Sequence, residues 1–173
     1  MLSPTLAKAL NEQINLEFYS SNLYLQMSSW CINHGLDGCA NFFRQHADEE
    51  KMHMQKLFDY VNETGAYAII GTIQNVQAEY SSVVEIFEET YAHEQHITRK
   101  INELVSISFK EADFSTFNFL QWYVAEQHEE EQLFKSILDK VELIGLEGNG
   151  LFFIDKEIEN LHANRAPLNS TIA

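Results

Sequence analysis

Proline is almost missing from this chain. Pro4 and Pro167 are the only two in 173 residues, so the whole interior lacks the strongest helix breaker. Glycine is sparse as well, with seven in all. Two cysteines, Cys31 and Cys39, are too few for a disulfide scaffold and read as small, reduced packing residues. Basic residues are outnumbered, 11 against 26 acidic ones, and a net charge of −15 repels nucleic acid and anionic membranes while attracting cations. No segment approaches the roughly 18 uninterrupted apolar residues of a membrane helix. The opening MLSPTLAKALNEQ has no basic leader followed by an apolar stretch, which sets the expectation of a cytoplasmic protein with no membrane or nucleic-acid partner.

What the chain has instead is helical periodicity. Four long stretches carry it, about 5–33, 38–64, 82–110 and 114–144, with a shorter one near 151–162. Ser3-Pro4 supplies an N-cap with proline at the first helical position, and His34-Gly35 and Thr64-Gly65 read as helix stops. The first and third connections are about four residues long and demand antiparallel hairpins. Residues 66–81 have no clear period. A helix of about 27 residues is roughly 40 Å long and 16 extended residues reach about 50 Å, so this run can cross the full length of a bundle. The fold class expected is all-α: a four-helix bundle over 5–144 with one long crossover and a short fifth helix, forming one domain over 1–162 with a tail at 163–173.

Each long helix points an acid into its own apolar stripe. At 100° per residue, Glu17 falls among Leu10, Ile14, Tyr24 and Cys31. Glu50 falls among Cys39, Phe43, Leu57 and Val61, with His46 and His53 on the same face, and Glu94 among Val83, Phe87, Ile101 and Val105. Glu130 lies among Phe119, Tyr123, Phe134 and Ile137, with Glu126 and Gln127 beside it. Burying four anions together is expensive unless a cation joins them, and Lys51, Lys56, Arg99, Lys100 and Lys135 miss the stripe centres. Glu94 and Glu130 stand equally far from Ala112 in the second turn, so their heights match, while Glu17 and Glu50 differ by about 4–5 Å across the first. Glu50-x-x-His53 places an oxygen and a nitrogen donor on one face, and Gln127-x-x-Glu130 repeats the spacing on the fourth helix. Carboxylates with one imidazole suit iron or manganese. Glu49 and Glu129 lie at stripe edges, where exposure and site function are equally open; His93 and His96 are expected at the surface. His46 reads as a core histidine or one that orients a ligand, and Tyr24 and Trp122 as core aromatics.

Four stretches, NEQINLEFYSSNLY, HADEEKMHMQKLFDY, HEQHITRKINEL and TFNFLQWYVAEQHEEEQLFKSI, resemble the bacterial non-haem ferritins, and the resemblance covers nearly the whole chain. It implies iron storage with ferroxidase activity: Fe(II) oxidised by dioxygen or hydrogen peroxide at a di-iron centre and stored as ferric mineral. One iron would be held by Glu17, Glu50 and His53, and a second by Glu50, Glu94 and Glu130 with Gln127 nearby. A third position would use Glu49, Glu126, Glu129 and Glu130, and Tyr24 would stand beside the first iron. The resemblance further implies a 24-subunit homo-oligomeric shell. Lys51 stands where haem-containing relatives carry methionine, so no haem is expected. The residues by themselves also admit a non-storing di-iron oxidase or peroxidase, or an iron-free helical module.

Overall fold

A computed structural model describes residues 2–164, the side chains of 162–164 excepted. It contains α1 (Pro4–Asn33), α2 (Asp37–Glu63), α3 (Val83–Lys110), α4 (Phe114–Ile144) and α5 (Gly150–Asn164). Every expected helix is present with ends within two residues of the sequence reading. The tail beyond Asn164 lies outside the described residues. Ser3 caps α1 as its spacing suggested, its Oγ accepting from the Leu6 amide at 3.0 Å, and Gly35 and Gly65 close α1 and α2 at φ +71° and +79°.

Helices α1 and α2 form one hairpin and α3 and α4 the other. The hairpins meet along α1 and α3, which run in opposite directions: Met27 lies beside Thr90, while Ser20 lies beside His93. The crossover between α2 and α3 has neither helix nor strand among its described residues. It is nevertheless held along α1. Asn11 donates to the Tyr67 carbonyl and accepts from the Ile69 amide, and one turn later Asn15 donates to the Ile69 carbonyl and accepts from the Gly71 amide. Two side-chain amides thus serve the extended backbone as a neighbouring strand would.

The apolar core is divided in two. One part gathers Tyr24, Met27, Phe42, Phe43, Phe87, Phe134 and Ile137; the other gathers Leu6, Leu10, Ile14, Leu57, Ile97, Leu104, Leu120 and Tyr123. On each long helix the inward acid sits at the boundary: Glu17 between Ile14 and Tyr24, Glu50 between Ala47 and Met54, Glu94 between Phe87 and Ile97, Glu130 between Tyr123 and Phe134. Fully buried aliphatic and aromatic layers on both sides keep this polar belt away from water.

Helix α5 docks through Ile154 and Ile158, each 1% exposed, and through a carboxylate. The α2 N-cap, Leu36, offers no side-chain acceptor, and Asp155 of α5 supplies one, taking hydrogen bonds from the Gly38 amide at 3.1 Å and the Cys39 amide at 2.8 Å. Gly38 makes this approach possible, since a Cβ there would stand 2.3 Å from the Asp155 carbonyl oxygen. Gly38→Ala and Asp155→Ala are therefore expected to loosen α5, the latter costing about 1 kcal/mol from the lost cap. Both should melt below wild type and be cleaved faster by protease around residues 145–149; unchanged melting and proteolysis would contradict the docking role.

Candidate metal centre

The four inward acids converge as their stripe positions require. Glu17 is fully buried, Glu94 and Glu130 are 1% exposed and Glu50 3%. The donor atoms of Glu17, Glu50 and His53 lie within 4.8 Å of one another. His53 Nδ1 stands 3.1 Å from Glu50 Oε2, the contact that the i, i+3 spacing provides. Glu94 approaches from α3, held in place by two neighbours. The Tyr24 hydroxyl donates to its Oε1, and the Gln127 amide donates to its Oε2 at 3.0 Å and to its backbone carbonyl at 3.3 Å. Tyr24 therefore serves Glu94 across the α1–α3 interface, and Gln127 orients that carboxylate instead of duplicating the histidine of α2.

Two more groupings share residues with the first. His46, Glu49 and Glu130 bring donor atoms within 4.8 Å, and so do Glu49, His53 and Glu126. Glu49, placed at a stripe edge by its angle alone, is only 2% exposed. The α2–α4 interface closes over its side of the helix. Glu126 is half-buried, whereas Glu129 is exposed and belongs to none of the three groupings among the described residues.

Three side chains around the centre escaped the sequence reading. Gln13, one turn before Glu17 and 2% exposed, donates its amide to Glu17 Oε1; its i, i+4 spacing to an inward acid was the available signal. The other oxygen of Glu17 makes no well-formed hydrogen bond, and Tyr123, an expected core aromatic, brings its hydroxyl near that carboxylate and favours its charged form. His93 departs from the expectation of a surface ring. Its Nε2 is 2.7 Å from Ser20 Oγ, its ring leans on Tyr19 and Tyr24, and burial pushes its pKa down to about 4. The closeness of α1 to α3 encloses a position that lies off the stripe of α3 taken alone.

Electrostatically the centre is strained without a cation. Burial, then the neighbouring charge of Glu50, holds Glu17 well above the carboxylate range; burial and then Glu94 do the same to Glu50. Glu94 is raised to about 7 by burial and then by Glu130, and Tyr24 and Tyr123 are pushed up by burial and by the acids they face. Among the described residues no lysine or arginine pairs with Glu17, Glu50 or Glu94. A metal ion is the counter-charge that such a donor set accepts, one imidazole with hard oxygens matching iron or manganese.

The metal-free protein should record this strain in its pH dependence. Glu94 titrates near 4.5 when unfolded and about 7 when folded, so between those values the folded state holds more protons and stability falls as pH rises. His93, lowered from 6.5 to about 4, acts with opposite sign over part of that window. The difference between wild type and Glu94→Gln reports this carboxylate together with the strain it places on Glu50: the variant should gain stability relative to wild type from about pH 4.5 to 7, by roughly a few kcal/mol. Denaturant melts at a series of pH values measure it, and a pH-independent difference would contradict the assignment.

A family model described as "Ferritin-like domain" matches residues 7–144. A probable bacterial non-heme ferritin-like protein of Haemophilus influenzae is 60% identical over 161 residues, 93% of this chain and 98% of that protein. A bacterial non-heme ferritin of Escherichia coli O6:H1 is 58% identical over the same shares of the two chains. Among solved structures, an open pore ferritin from Archaeoglobus fulgidus superposes with a TM-score of 0.89 at 43% identity, covering 92% of this chain and 98% of that one. A ferritin from Chlorobium tepidum superposes with a TM-score of 0.83 at 52% identity, covering 92% and 99%. With a family model matching residues 7–144 and relatives 58–60% identical over 93% of its length, the chain belongs to the ferritin family of iron-storage proteins, in its bacterial non-haem branch.

Proposed function

We propose that this chain is a ferroxidase, oxidising ferrous iron at a two-iron centre inside each subunit before the product is stored. The observation that carries the reading is one buried carboxylate from each long helix, meeting in a belt between two dry apolar layers. Glu17, Glu50 and His53 hold one ferrous ion; Glu50, Glu94 and Glu130 hold the other. Glu50 is shared between them. Two ferrous ions each give up one electron to one dioxygen, which takes two protons and leaves as hydrogen peroxide, itself a further two-electron oxidant. Carboxylate ligands favour the ferric product electrostatically, and their protons must leave as iron arrives. Gln127 and Tyr24 keep Glu94 aimed at the second position, and Gln13 and Tyr123 do the same for Glu17 at the first.

The product has to leave a storage enzyme, so the ligands should release it readily. Glu49 and Glu126, adjoining the centre, form the beginning of a third and weaker position, with Glu130 shared and Glu129 at its exposed end. Half-burial of Glu126 and exposure of Glu129 keep the desolvation cost low and the hold on a cation loose. Haem has no part in this reading, because Lys51 offers no thioether at the position where haem-binding relatives have methionine. Assembly of copies of this chain is supported by the large apolar side chains left exposed on one chain, among them Leu25, Ile32, Tyr67, Ile70, Phe152 and Phe153, and the assembly proposed is the family's 24-subunit shell. Two buried free thiols, Cys31 held up to about 12 by burial, suit a cytoplasmic setting.

Glu50→Ala and His53→Ala should slow aerobic iron oxidation by at least tenfold while the oligomer still forms; in Glu50→Ala the loss of a buried anion also relieves repulsion. Glu129→Ala should leave the fast phase for the first two irons per subunit intact and alter only later turnover. Stopped-flow oxidation with oxygen uptake at increasing iron ratios separates the two phases. Wild-type rates in Glu50→Ala would contradict the two-iron assignment.

A further inference from the structure

Helix α2 carries histidines and glutamates placed symmetrically about the Glu49–Glu50 peptide bond, in His46-Ala47-Asp48-Glu49-Glu50-Lys51-Met52-His53. Each histidine is three residues from the nearer glutamate, so one imidazole stands a turn above the glutamate pair and the other a turn below. The proposed two-iron centre uses His53 and Glu50 and leaves His46 and Glu49 aside. The structure brings this second half against α4, where His46, Glu49 and Glu130, all at most 2% exposed, turn their donor atoms to within 4.8 Å of one another.

The ring of His46 is set for this arrangement. Its Nδ1 is 2.9 Å from the Phe42 carbonyl oxygen. A carbonyl only accepts, so Nδ1 carries the hydrogen. Phe42 at 4.1 Å and Phe134 at 5.4 Å hold the ring plane, and Nε2 is left facing Glu130 Oε2 at 3.5 Å. That distance is long for a charge-assisted N–H···O bond, about 2.7–2.9 Å. It matches two donors on one metal, since bonds of about 2.1 Å at a tetrahedral angle set nitrogen and oxygen about 3.4 Å apart. Two carboxylates also neutralise a divalent ion, so the group carries no net charge into the low-dielectric belt.

We propose that His46, Glu49 and Glu130 form a further divalent-metal position, with His46 Nε2 as its nitrogen donor. It rests on the reading of the α2 and α4 acids as an iron-binding face and extends it. Sharing Glu130 with the second iron, and joining the centre through Glu49, this position receives an ion displaced from the oxidation site without passing it through water. It shares Glu49 and Glu130 with the all-carboxylate third position that Glu126 and Glu129 complete, and differs from it by a nitrogen donor, which favours a borderline first-row ion over magnesium or calcium.

Zinc alone is a suitable probe because it does not change oxidation state. Crystals of the full chain in its own assembly, soaked in Zn(II) and measured at the zinc edge, should show an anomalous peak about 2.0–2.2 Å from His46 Nε2 and from one oxygen each of Glu49 and Glu130. His46→Phe keeps an aromatic ring between Phe42 and Phe134 and should lose that peak, retain those at Glu50 and His53, and bind one zinc fewer per chain in equilibrium dialysis. If His46→Phe does not assemble, His46→Gln serves the same comparison. Peaks at Glu50 and His53 with none at His46 would overturn the proposal and leave His46 an ion-pair partner of Glu130. Absence of zinc from the whole of α2 would instead strike the two-iron reading, and this position with it.

Discussion

Mutual repulsion among buried carboxylates is the constraint on which the rest of the structure turns. Glu17, Glu50, Glu94 and Glu130 are each surrounded by apolar residues of their own helices and are nearly inaccessible to water. Burial and proximity push Glu17, Glu50 and Glu94 toward their neutral forms. A bundle of this length can hold such a belt because the layers on either side are well filled: Phe42, Phe43, Phe87 and Phe134 on one, Leu6, Leu10, Leu57 and Leu120 on the other. Those layers stabilise the fold by burial while denying the acids solvent. On the proposed reading cations complete the electrostatics, and the site would bind them because the fold costs less with them than without.

The remaining elements hold the four donors in one belt between the two apolar layers. The α1–α2 and α3–α4 hairpins fix pairs of acids, and the α1–α3 contact brings Tyr24 to Glu94 and His93 to Ser20. The crossover lies along α1 under the side chains of Asn11 and Asn15. Helix α5 secures the far end by placing Asp155 at the open N-terminus of α2, the helix that contributes the most candidate metal ligands. A carboxylate there satisfies amides that the sequence of α2 itself leaves uncapped.

Legibility followed the range of each interaction. Helix ends were readable because Ser3-Pro4, Gly35 and Gly65 act locally, and the crossover was readable from its lack of period together with its length. Glu17, Glu50, Glu94 and Glu130 were readable because an acid in an apolar stripe is anomalous on its own helix. Glu49 was ambiguous by angle, and only the neighbouring helix decides that it is buried while Glu129 is exposed. Gln13 and Tyr123 were hidden because an amide or a phenol fits a stripe without violating it. His93 was misplaced because its enclosure comes from α1, and the capping of α2 by Asp155 joins residues over 110 positions apart.

Binding thermodynamics test the central claim most directly. Anaerobic Fe(II) titrated into the assembled, metal-free protein at pH 6.5, in two buffers of different ionisation enthalpy, gives both the number of ions bound and the protons released. Two tight ions per chain should bind, with proton release from the raised carboxyls and a higher melting temperature for the loaded protein. All three should be lost together in Glu50→Ala. One ion or none per chain, or two bound without proton release, would contradict an account in which iron replaces protons on a ring of buried carboxylates.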